Sequence, residues 1–250
     1  MPALASWASA GSLGSNQAKS AGTSNLTITT TAAAEANNVI VCALAADNLD
    51  TADAETTHWS VSDSASNTYT RATEFENAQG SAGGGANASI FFSKVATQLN
   101  SGGTITFTSD SSVTAKAASC WEFTITSTNV VSVAGKSTLP TDGADPAAIS
   151  LGSLSAQEYL WVHALAGEGP DTDAYTWDAD YTQLTANGTT GASAASNMHV
   201  RSGIRIFTGT TDSVDVTSDT SDRDYAQVLV ALKEAPPPAG PATVPRVIRW

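Results

Sequence analysis

Two short apolar runs constrain what this chain can fold into. Val39-Ile40-Val41-Cys42-Ala43-Leu44-Ala45 is answered, 121 positions later, by Leu160-Trp161-Val162-His163-Ala164-Leu165-Ala166, and the two share V-x-A-L-A. A run that short, rich in Val, Ile and Leu, reads as a strand buried on both faces or packed at the centre of a sheet.

The neighbours of the two runs repeat in the same order. Ile28 precedes the first and Ile149 the second, and each run is followed by an acidic loop and a tryptophan, Trp59 and then Trp177. Tyr69-Thr70-Arg71-Ala72-Thr73 then matches Tyr181-Thr182-Gln183-Leu184-Thr185, Ser89–Ser93 lines up with Gly203–Phe207, and Ile105–Asp110 answers Val214–Asp219. The spacing drifts because loops gain and lose residues while strands keep their order. Self-similarity on this scale reads as an internal duplication. The fold class expected is all-β, a jelly-roll-type β-sandwich whose two halves, 24–135 and 145–235, build related sheets. Two tandem seven-stranded sandwiches are the alternative.

Alternation supports the strands. Thr104-Ile105-Thr106-Phe107-Thr108 and Ser213-Val214-Asp215-Val216-Thr217 each give one apolar and one polar face. Gly/Asn/Asp/Ser clusters separate such runs, and no segment shows a capped helical period. Residues 1–23, rich in Ala, Ser and Gly with Trp7 as their one aromatic, read as an N-terminal arm. Lys136–Asp145, with Pro140 and Gly143, reads as a loop joining the halves. From 236 to 250 a Pro-rich spacer leads to Val244-Pro245-Arg246-Val247-Ile248-Arg249-Trp250, read as a C-terminal arm.

Charge narrows the partners. With 24 acidic against 11 basic residues the chain carries a net charge of −13, which repels phosphate backbones and anionic lipid. Neither nucleic acid nor membrane is expected as a partner. Met1–Trp7 offers no basic n-region and no apolar h-region, so no secretory leader is expected. Cys42 and Cys120 stand in predicted strands, where cysteine packs as a small hydrophobe. Two free, buried thiols are the expectation, in keeping with maturation in a reducing cytoplasm.

Signatures of chemistry are sparse. The chain has no G-x-S-x-G, H-E-x-x-H, P-loop or G-x-G-x-x-G. His58, His163 and His199 do not recur at ligand spacing; His163 stands where the first run has Cys42, as a packing residue would, and His58 reads as a surface residue. Asp171/Asp173, Asp178/Asp180 and Asp222/Asp224 are carboxylate pairs of a kind that calcium or a glycosidase could use, yet D-x-D in an acidic chain is ordinary. No catalytic residue, metal ligand or cofactor is assigned. Trp59, Trp161 and Trp177 read as core, Trp177 half-exposed between Thr176 and Asp178.

The most specific string is Trp59-Ser60-Val61-Ser62-Asp63-Ser64-Ala65-Ser66-Asn67-Thr68-Tyr69-Thr70. It resembles the V-S-D-S-x-x-N-T-Y/W-T hairpin of a widespread, poorly characterised group of β-sandwich proteins of tailed phages and bacteria. Ile90-Phe91-Phe92 and the closing Tyr225–Lys233 are similar to that group as well, so the likeness covers roughly 26–234. Physically, Asp63 and Asn67 bracket a turn whose backbone their side chains can bond. The resemblance implies a virion or surface-exposed role and supplies no catalytic residues. The expectation is a non-enzymatic phage virion protein, a capsid decoration (cement) protein, homo-oligomeric, made in the host cytoplasm. Its partners would be the major capsid protein or neighbouring shell or fibre subunits. Trp7, Val244, Arg246, Val247, Ile248, Arg249 and Trp250 are its expected contacts, Arg and Trp being common interface anchors. The alternative is a host-surface or glycan-binding module of a head or tail fibre.

Overall fold

A computed structural model describes residues 7–81, 83–126, 129–191, 196–220 and 223–235, with backbone alone at 21, 22 and 235. The chain is all-β. Its first half supplies β1 (Ala8–Thr29), β2 (Val39–Asp47), β3 (Ala54–Glu55), β4 (Trp59–Asp63), β5 (Thr70–Asn77), β6 (Ala86–Lys94) and β7 (Thr104–Thr124). Its second half supplies β8 (Val130–Thr141), β9 (Ile149–Leu151), β10 (Gln157–Glu168), β11 (Tyr175–Trp177), β12 (Thr182–Gln183), β13 (Asn187–Gly188), β14 (Met198–Gly209), β15 (Asp212–Val214), β16 (Val216–Ser218) and β17 (Tyr225–Ala235). No helix of the described chain is long and apolar enough to cross a membrane.

The strands form four layers. At the centre, one sheet in the order β1-β7-β2-β6-β5-β3 faces a second in the order β12-β14-β10-β17-β8. The apolar core between them is built from Val41, Ala43, Ile90, Phe92, Trp121 and Phe123 on one side and Leu160, Val162, Ala164, Val200, Val228 and Val230 on the other. The alternate residues of the same strands face outward and are covered again. Ile40, Cys42, Leu44 and Phe91 pack under Leu26, Ile28, Trp59, Ile105 and Phe107, carried by the outer parts of β1, β4 and β7. Tyr159, Trp161, Leu165 and Leu229 pack under Ile149, Val214 and Val216 of the small β9–β15 and β11–β16 pairs. Side chains alternate across a strand, so covering both faces buries successive positions of β2 and β10, and these are apolar throughout Val39–Ala45 and at all but His163 of Leu160–Ala166. That is why Val39–Ala45 and Leu160–Ala166 read as continuous runs.

The two central sheets share part of their strand order. β7-β2-β6-β5 in one sheet and β17-β10-β14-β12 in the other have the same order, antiparallel throughout. Ile28 opposes Ile105 as Ile149 opposes Val214. The alternating segments behave as read: Ile105 and Phe107 are buried while Thr108 faces solvent, and Val214 and Val216 are buried between exposed Ser213, Asp215 and Thr217. The turn after β4 is held as its residues suggest. Asp63 Oδ1 accepts from the amides of Ala65 (2.9 Å) and Asn67 (3.0 Å), and Asn67 Oδ1 accepts from those of Ala96 and Thr97, both 2.9 Å.

Three expectations are corrected. Residues 8–23 are not an arm, because they form the first part of β1 and pair with β7 from Ala8↔Thr124 to Thr23↔Val113. Gly11 and Gly14, at φ +129° and +136°, sit where the register skips, and these bulges bend a strand whose small residues carry no apolar period. The segment from Lys136 to Thr141 is strand, not loop. β8 lies at the edge of its sheet, where a proline such as Pro140 is tolerated. Third, Cys42 and Cys120 are not free thiols. The β2–β7 register sets them directly opposite, Cα atoms 4.1 Å apart, and they form a disulfide in the core. His163 and Leu229 oppose each other at the matching place in the second sheet.

Candidate functional site

Trp7 lies in the body of the protein. It is 3 % exposed, packed in the core between the central sheets, and its backbone amide donates to Glu158 Oε1 at 2.9 Å. An indole so enclosed cannot reach a partner, and Trp7 is withdrawn as a contact residue. Val244, Arg246, Val247, Ile248, Arg249 and Trp250 lie outside the described residues.

Much of the polar chemistry sits beneath the outer layers, bound up in structure. On β5, Glu74 has a fully buried carboxylate. It accepts from Thr56 Oγ1 (2.8 Å) and the amides of His58 (2.9 Å) and Trp59 (3.2 Å), and it pairs with Arg71 at 3.0 Å. Glu76, also enclosed, accepts from Asn87 Nδ2 (2.8 Å) and the Leu49 amide (2.9 Å); burial pushes its carboxyl up to about 7 despite these bonds. His58 is no free surface residue, since its ring nitrogens lie 2.9 Å from Asp110 and 3.1 Å from Asp50. Burial opposes its charge, but the two carboxylate hydrogen bonds outweigh that and lift it to about 9. Charged His58 thus stabilises the fold below about pH 6.5, and that contribution fades as pH rises through 9.

The second half has its own network. His199 accepts the Tyr175 phenol proton at Nε2 (2.6 Å) and donates from Nδ1 to the Gly169 carbonyl (3.0 Å). Burial holds it neutral, near 3, and does the same to His163, near 4, whose Nε2 lies 3.2 Å from Gln227 Oε1. His163 is the packing residue expected of it. Asp171 and Asp173 are ion-paired to Arg201 (2.8 Å) and Arg223 (3.0 Å). Among the described residues no group of three or more His, Cys, Asp or Glu is placed to hold a metal ion. Trp59 and Trp161 are fully buried, and Trp177 is half-buried against His163 and the backbone of Gly203. A Cβ on Gly203 would stand 2.3 Å from the indole. Gly203→Ala is therefore expected to expel Trp177 and destabilise by about 1–3 kcal/mol, read as a red-shifted tryptophan emission with a lowered melting temperature.

At the end of β10, Glu168 lies beside the Asp224 carboxylate, with Asp47 at the end of β2 adding a weaker like charge. Burial and then the Asp224 carboxylate raise Glu168 to about 7. The folded chain holds this proton where the unfolded chain has lost it. Its stability contribution is therefore present below about pH 4.5 and is lost as pH rises through 7. Glu168→Gln, which keeps a donor toward Asp224, is expected to melt like the parent at pH 5 and above it at pH 8. Thermal scans at the two pH values check this.

Two accessible clefts lie on β14. Arg205 reaches Asp180 (2.8 Å) and Asp212 (2.6 Å) and lies over the Phe207 ring at 4.2 Å. The clefts flank this pair. One, of about 420 Å³, is lined by Ser150, Leu151, Gly152, Thr211, Asp212 and Ser213; the other, of about 510 Å³, by Ser9, Asp180, Thr182, Leu184, Ile204 and Ile206. No sequence signal singled out Arg205, because its role depends on Asp212 returning beside it across the β14–β15 turn. Of the expected carboxylate pairs, Asp178/Asp180 contributes one member to this site, and Asp222 lies outside the described residues.

No family model, no curated protein and no solved structure matches this chain.

Proposed function

We propose that this chain is a non-enzymatic structural protein of a phage virion, a capsid decoration protein that works as a homo-oligomer on the particle surface. One observation carries the reading. The body is a four-layer stack whose central sheets are buried on both faces and whose inner carboxylates and histidines are bound to backbone and arginine. Such a body suits a rigid spacer. Its outermost strands present Thr27, Thr29, Ser60, Ser62 and Thr108 to solvent, a hydrated face on an acidic chain that discourages aggregation. We read the repeated layer order as duplication of one jelly-roll-type unit. With Trp7 buried, attachment falls to Val244–Trp250 alone, the basic and apolar stretch of a chain of net charge −13. Removing 236–250 should abolish particle occupancy while the body's melting temperature holds. Unchanged occupancy would overturn the assignment.

A second reading rests on the 420 Å³ cleft, where Ser150, Thr211, Asp212 and Ser213 meet the Phe207 ring in a mixture of hydroxyl, carboxylate and aromatic groups suited to a neutral sugar. A glycan array, run with and without calcium, tests it.

A further inference from the structure

We infer that, in the free chain, Val244–Trp250 docks along the open rim of β14 and fills the 510 Å³ cleft beside it. β14 is paired to β10 along its whole length, ending at Gln157↔Gly209. On its other side β12 pairs it only at Ile204 and Gly203, and β13 only at Val200 and His199. The register that sets Thr182 against Ile204 brings the Asp178–Tyr181 turn beside Arg205, where Asp180 pairs with it; from Phe207 to Gly209, about 10 Å of strand, no described strand lies alongside. The cleft is lined by Ile204 and Ile206 from one face of β14 and by Arg205 and Phe207 from the other. Residues of both faces can border a single cleft only at the strand's rim, where the backbone groups point. An unpaired rim with apolar side chains on either side is the template for strand addition. Ile206 is one of two large apolar side chains exposed among the described residues, and it stands in this cleft.

The position of Ala235 argues for the occupant. Leu232 of β17 opposes Leu160 of β10, which opposes Ile206 of β14. Three residues further along, β17 ends level with Gly209, at the same end of the sheet as the open rim. The vacant position next to β14 is three strand spacings from β17, about 14 Å. The eight residues 236–243, Pro-rich, span about 25 Å when extended, enough to cross that gap around the end of β10. A chain arriving from that end would run antiparallel to β14, as every other neighbour in the sheet does. Its side chains fit the cleft: Val244, Val247, Ile248 and Trp250 are apolar, and Arg246 and Arg249 can meet Asp180, whose carboxylate is 62 % exposed. Pro245 falls at the start of the added strand, where a missing amide is tolerated. Attachment to a shell would then exchange one docking site for another.

Hydrogen exchange on the intact chain, with no particle present, tests this apart from the virion assignment. Amides of 207–209 and 246–250 should exchange at least tenfold more slowly than in the Val247→Asp/Ile248→Asp double variant, at an unchanged melting temperature. Ile206→Asp should release 246–250 in the same way; if that variant does not fold, the tail double variant still decides. Exchange of 246–250 at the rate of a free peptide would overturn the inference. So would protection that vanishes on dilution, which would assign the cleft to the segment of a second copy.

Discussion

Replacing both Cys42 and Cys120 by alanine, or reducing the bond between them, is expected to lower the melting temperature by about 10–15 °C. The bond closes a loop of 78 residues. Chain-entropy arguments put the stabilisation from such a closure at about 4.5 kcal/mol, and a body of this size shifts by about 2–4 °C per kcal/mol. The reason for a large effect is also local. Both sulfurs are inaccessible, between the first central sheet and its outer layer, where Ile40, Leu44 and Phe91 pack around them. Thermal scans with and without reductant, alongside a thiol count on the denatured chain, check the result. Two titratable thiols and an unchanged melting temperature would show that the pair is not bonded.

Trp7→Ala is expected to destabilise the chain by about 3–5 kcal/mol, as for a large aromatic removed from a packed interior. Trp7 is the first described residue and stands before β1, yet it packs with residues of both central sheets and ties its amide to Glu158 of the second. Deleting residues 1–23 should go further and prevent folding. It removes the strand that pairs with Ala115–Thr124 of β7 and, with it, Leu13, which packs in the outer core. An arm would behave otherwise, since its loss leaves a body that melts unchanged. Chemical denaturation of Trp7→Ala and circular dichroism of the deletion distinguish the two cases.

What could be read in advance follows from how far each signal reaches along the chain. The alternation of Thr104–Thr108 and the turn chemistry of Asp63 and Asn67 are local, so neighbouring residues suffice to reveal them. β1 was hidden because its outer residues, Ser9, Gly11, Ser12, Ser15 and Asn16, are neither β-branched nor periodic. What makes them strand is β7, whose partner residues lie more than a hundred positions away from each of them. Pro140 hid β8 in the same manner, since only its place at a sheet edge makes a proline tolerable there.

The amino-acid sequence alone determined that the chain is all-β, with Val39–Ala45 and Leu160–Ala166 as strands buried in its interior. It did so because a side chain's burial must show in its own chemistry. Tertiary structure decided which residues meet. It set Cys42 against Cys120, brought Asp212 to Arg205, and left the rim of β14 unpaired. Those outcomes depend on register between distant strands, and register is settled by all the layers packing at once.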